Sequence, residues 1–129
     1  MTKSNPKQPT DLELEILKVV WDDHPTTVRQ VREALAAKRK LAYTTVMTVM
    51  GILTDKGFLK RVKEGTGYVY SPVVKREHAM KRMVKDVTTR WFDGSTGALL
   101  LNLIDDVELD KNELAELKRL LDKKLGEKS

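Results

Sequence analysis

The chain has no cysteine, only two histidines, and few aromatics, with two Trp, three Tyr and two Phe in 129 residues. Without cysteine there can be no disulfide, thiolate metal site or Cys nucleophile, and the composition suits a reducing compartment. His24 and His78 stand alone, which is too little for a zinc site. Met80 and Met83 near His78 fit an apolar stripe better than a set of soft metal ligands. Asp105, Asp106, Glu108 and Asp110 lack the spacing and the glycine of a calcium loop. No metal and no cofactor are therefore expected. No nucleophile stands with a base to activate it, so an enzyme is not expected either. The longest uninterrupted apolar runs are four residues, residues 98–101 among them. A bilayer needs about 20, so no direct membrane insertion is expected. The opening MTKSNPKQPT has no apolar stretch of the secretory kind, and a cytoplasmic location follows as the expectation.

What the sequence does have is charge, unevenly placed. The formal net charge is +5, with +4 over residues 1–72, +4 over 73–92 and −3 over 93–129. Within residues 38–63 stand Lys38, Arg39, Lys40, Lys56, Lys60, Arg61 and Lys63 against the single acid Asp55. Two basic clusters about twenty residues apart point to a surface that meets a polyanion.

Hydrophobic periodicity supplies the elements. Residues 1–9 hold two prolines and no period, and read as a flexible tail. Thr10 with Glu13 and Thr27 with Gln30 have capping-box spacing, so one helix starts after each threonine. A third helix starts near Tyr43 and stops at Gly57, its buried stripe being Val46, Val49, Met50 and Leu53. Thr44, Thr48, Gly51 and Asp55 lie opposite that stripe. From Phe58 the period shortens to that of a strand, with a glycine turn over residues 64–67 and a second strand ending at Pro72. Helical spacing returns with Met80, Met83, Val84, Val87 and Trp91, breaks over residues 94–97, and resumes in a short apolar helix over 98–104. A last helix opens at Asp110 and carries Leu114, Leu117, Leu121 and Leu125.

This order is mainly α with a small β-hairpin. It predicts an N-terminal winged helix-turn-helix over residues 10–72, followed by a three-helix C-terminal dimerisation domain over residues 73–129. In a helix-turn-helix the second helix of the motif enters the major groove with its N-terminal residues at the base edges. Ala42, Tyr43, Thr44, Thr45 and Thr48 are thus the expected base readers. Lys38, Arg39, Lys40, Lys60, Arg61 and Lys63 are assigned to phosphates. The leucine-rich C-terminal segment is too small to bury itself, so a homodimer through Met83, Val87, Trp91, Leu100, Leu101, Leu114, Leu117 and Leu121 is expected. Two other readings stay open. One is a winged-helix module whose hairpin binds a protein. The other is a direct small-molecule sensor with a pocket under Trp91 and residues 99–104.

Tyr43-Thr44-Thr45-Val46-Met47-Thr48-Val49-Met50, Leu53-Thr54-Asp55-Lys56-Gly57-Phe58-Leu59 and Tyr70-Ser71-Pro72 resemble the penicillinase-repressor family of winged-helix regulators. Residues 12–21 and Thr27-Val28-Arg29 are similar too, and the resemblance spans residues 10–125. It implies a homodimeric repressor on a double-stranded inverted-repeat operator, one winged domain per half-site. Members of the family regulate penicillinase, methicillin resistance or copper export. In the beta-lactam branch a membrane sensor-protease system leads to a cut after an Asn in the dimer domain, and Asn102-Leu103 looks like that position. In the copper branch metal binds a cysteine-rich tail, and this chain has no cysteine. Gly51-Ile52 stand where members often carry basic residues, and Gly65-Thr66-Gly67 where many have Gly-Arg.

Overall fold

The computed structural model describes residues 8–128, so the expected tail lies, up to residue 7, outside the described residues. The order is α1 (Asp11–Asp22), α2 (Val28–Leu35), α3 (Tyr43–Asp55), β1 (Leu59–Glu64), β2 (Gly67–Pro72), α4 (Arg76–Trp91), α5 (Thr96–Asp106) and α6 (Lys111–Lys128). This is a winged helix followed by further helices. No helix among the described residues is long and apolar enough to cross a membrane.

Local side-chain chemistry decides the helix ends. The Thr10 hydroxyl accepts from the Glu13 amide at 3.2 Å, and the Glu13 carboxylate accepts from the Thr10 amide at 3.0 Å. Thr27 and Gln30 repeat the exchange at 3.1 and 3.0 Å. Asp110 and Glu113 do the same before α6, at 2.7 and 3.1 Å, so the acid-first opening is a full capping box. Helix α3 closes in a Schellman motif: Phe58 donates to the Leu53 carbonyl, Gly57 donates to the Thr54 carbonyl, and Gly57 has φ 87°. The expected first strand therefore loses Phe58, which turns inward and is buried. Helix α5 begins at Thr96, two residues earlier than expected, because the Ser95 hydroxyl accepts from the Ala98 amide at 3.0 Å. The break falls instead at Asp93 and Gly94, which have φ 49° and 83°.

Contacts divide the chain into two units, one through Val84 and one from Lys85. The first unit has a core of Ile16, Leu17 and Val20 from α1, Val28, Val31 and Leu35 from α2, and Val46, Val49, Met50 and Leu53 from α3. Phe58, Leu59 and Tyr70 complete it. Val74 and Ala79 pack on the same core, and the Trp21 indole donates to the Val74 carbonyl at 2.9 Å. The sequence places the boundary at Pro72; these contacts carry the first unit beyond it. Strands β1 and β2 pair antiparallel, Leu59 opposite Pro72 and Arg61 opposite Tyr70. A bridge between Thr26 and Tyr70, with hydrogen bonds of 3.0 and 2.7 Å, ties the hairpin to the α1–α2 connection.

Gly51 lies in the interior of α3, and a Cβ built there meets nothing within 4 Å. Packing within the chain does not require glycine at this position. Gly51→Ala is expected to stabilise the first unit by about 1 kcal/mol, from helix propensity alone. A thermal melt reads this as a rise of about 4–8 °C. An unchanged or lower melting temperature contradicts it.

Candidate nucleic-acid interface

Helix α3 is held from behind. Val46, Val49, Met50 and Leu53 fill the core, so its opposite side is aimed outward by packing rather than left to turn. Ala42, Tyr43, Thr44, Thr45 and Thr48 are all exposed on that outward surface. Met47 and Ile52 stand beside them, 44% and 38% exposed. Sequence reasoning did not assign these two, although their apolar side chains suit contact with thymine methyl groups. The approach to α3 is fixed by Arg32, whose Nε donates to the Leu41 carbonyl at 2.9 Å. Ala42 is the N-cap, and no side chain bonds the first amides of α3. That end of the helix is an open, partially positive terminus.

The basic residues fall into three groups. Lys38, Lys40, Lys60 and Lys63 are exposed and make no ion pair among the described residues. Arg39 is committed to Glu15 of α1 at 3.1 Å. Lys56 is withdrawn from the cluster altogether: its Nζ donates to Glu13 Oε1 at 2.7 Å and to the Gln8 carbonyl at 3.3 Å. Arg61 has partners of another kind. Its guanidinium lies 4.2 Å from the Tyr68 ring centroid, and the neighbouring Tyr70 side chain pushes its pKa above the ordinary Arg value. Arg61 and Lys63 share one hairpin face with Tyr68 and Tyr70, whereas Lys60 lies on the other with Val62. The three basic residues of β1 therefore cannot meet one row of phosphates from a single face.

Residues 9–123 match the sequence profile of the penicillinase repressor family. The chain belongs to that family. It is a family of repressors rather than enzymes. The chain is similar to the transcriptional regulator BlaI of Mycobacterium tuberculosis, with 37% identity over 114 residues, covering 83% of each chain. It is also similar to the penicillinase repressor of Bacillus licheniformis, with 27% identity covering 89% of this chain and 90% of the relative. Among solved structures, the solution structure of the DNA binding domain of the repressor BlaI aligns with a TM-score of 0.51 and 31% identity. That alignment covers 60% of this chain and 93% of the solved one.

The unit from Lys85 completes the family picture in a different way. Thr88 is its only buried residue among those described; α5 and α6 bury none. Trp91 is 74% exposed and Leu101 67%. Of the eight residues expected at a dimer face, Met83, Trp91, Leu100, Leu101, Leu114 and Leu121 are exposed, while Val87 and Leu117 are half-buried. Asn102 and Leu103 both lie inside α5 and are exposed.

Proposed function

We propose that the chain is a homodimeric transcriptional repressor that places α3 of each copy in the major groove of an inverted-repeat operator on double-stranded DNA. The observation that carries this reading is the outward face of α3, where Tyr43, Thr44, Thr45 and Thr48 are exposed while the inner face is locked in the core. These residues, with Ala42, read base edges. Lys38 and Lys40 before the helix, and Lys60, Arg61 and Lys63 on the hairpin, hold phosphates, with Arg39 joining them from its pairing with Glu15. Similarity to the DNA binding domain of the repressor BlaI supports the DNA-binding reading.

Dimerisation follows from the unit that begins at Lys85. A helix as apolar as α5 is stable in water only when another surface covers it, and contiguous exposed apolar patches mark interfaces. A second copy is the partner that a closed two-fold arrangement supplies. Release then proceeds by a cut between Asn102 and Leu103, delivered by a membrane sensor-protease system. The bond is helical, so α5 must open locally before a protease reaches it. The cut removes α6 and the end of α5, and with them Leu114, Leu117 and Leu121 of the dimer face, which weakens the dimer.

Titration with a duplex from the region upstream of the gene tests the reading. The chain is expected to prefer it over a random duplex by about 10³-fold or more. Thr48→Ala should narrow that preference, whereas Lys63→Ala should weaken both duplexes alike and reduce the salt slope by about one. Equal affinity for the two duplexes overturns the repressor reading.

A further inference from the structure

The hairpin carries one basic group that is held in place by its own neighbours. Pairing sets Arg61 opposite Tyr70 and Lys63 opposite Tyr68, so Tyr68 is the diagonal neighbour of Arg61 on the same face. The Arg61 guanidinium sits 4.2 Å from the Tyr68 ring centroid, a cation–π distance. Tyr70 stands directly across from Arg61 on that face and anchors the strand that carries Tyr68. Tyr70 is itself fixed: it is 2% exposed, and its amide and carbonyl are both bonded to Thr26.

The ring that holds Arg61 is uncharged. Arg39, by contrast, is neutralised by the carboxylate of Glu15. Arg61 therefore combines a held direction with a charge that no carboxylate pairs at ion-pair distance among the described residues, and the ring contact leaves its N–H donors available. A flexible arginine loses rotamer freedom when it meets an anion; one already held loses less.

We propose that Tyr68 is a positioning residue that preorganises Arg61 as a clamp on the phosphate backbone of duplex DNA beside the hairpin. This rests on the DNA-binding reading above. Tyr68 is 41% exposed and stands outside the core, so the fold does not depend on its ring.

The test uses the full chain with Tyr68→Leu, Tyr68→Phe, Arg61→Ala and the double variant Arg61→Ala/Tyr68→Leu. Each is titrated with a random-sequence duplex at several salt concentrations. Tyr68→Leu is expected to weaken binding about three- to tenfold with the salt slope unchanged, because the charge remains. Tyr68→Phe keeps the ring and binds like the parent. Arg61→Ala lowers the slope by about one, and adding Tyr68→Leu to it costs nothing further. In the DNA-free protein, the Arg61 Nε–H is expected to be rigid by NMR relaxation and to become mobile in Tyr68→Leu. Equal losses from Tyr68→Leu in the parent and in Arg61→Ala, or a mobile Arg61 in the parent, overturn the clamp. A rigid Arg61 in a chain that binds no duplex overturns the DNA reading, and the phosphate as the target of Arg61 falls with it.

Discussion

Leu101→Asp combined with Leu121→Asp is expected to give a monomer whose affinity for an inverted-repeat operator is lower by about two orders of magnitude or more. Leu101 and Leu121 are 67% and 51% exposed within a single chain, so aspartate at either position disturbs little inside that chain. In a dimer the same carboxylates enter an apolar interface unpaired, and burying an unpaired charge costs far more than a contact returns. The operator affinity falls because two winged units no longer reach two half-sites at high effective concentration. Sedimentation reads the assembly, and titration of a single half-site, where the variant is expected to match the parent, separates lost dimerisation from damage to α3. Leu117 is the poorer choice, since it is half-buried and its replacement perturbs the chain itself. A double variant that stays dimeric contradicts the assigned face.

Lys56→Ala is expected to destabilise the first unit by about 2–3 kcal/mol. The Glu13 side chain is 8% exposed and that of Lys56 20%, so removing the ammonium strands a carboxylate in a poorly hydrated place. Glu13 also closes the capping box with Thr10, and the strain of an unpaired charge would reach the start of α1. For a unit of this size the loss amounts to roughly 10–20 °C in melting temperature. Replacing both partners, Glu13→Gln with Lys56→Met, is expected to recover most of it, because no buried charge is then left alone. If Lys56→Ala melts with the parent, the pair is ornamental.

The features legible in the sequence are those set over a few residues. Thr10 with Glu13 and Thr27 with Gln30 predict their capping boxes because both halves lie one turn apart. The stripe of Val46, Val49, Met50 and Leu53 predicts the buried face of α3, and with it the outward threonines. What the sequence does not disclose joins distant segments. Lys56 and Glu13 are 43 positions apart, and nothing in a run of basic residues says which of them a carboxylate will claim. The charge cluster over residues 38–63 loses Lys56 to Glu13 and shares Arg39 with Glu15 for this reason. The bridge from Thr26 to Tyr70 is equally long-range, and it makes Tyr70 a core residue rather than a surface one. Composition also misplaces the start of α5. Thr96 and Gly97 look like breakers, yet the hydroxyl of Ser95 caps the helix ahead of them. In the same way, Val74 and Ala79 extend the first unit past Pro72, because packing on a core is invisible to a turn signal.

The most direct measurement compares the parent chain on a full inverted repeat from its upstream region with the same duplex carrying one intact half-site. The expected result is two chains per full duplex and an affinity about 10²-fold or more above that for the single half-site. Equal affinities, with one chain bound to each duplex, would contradict a dimeric repressor that reads DNA through α3.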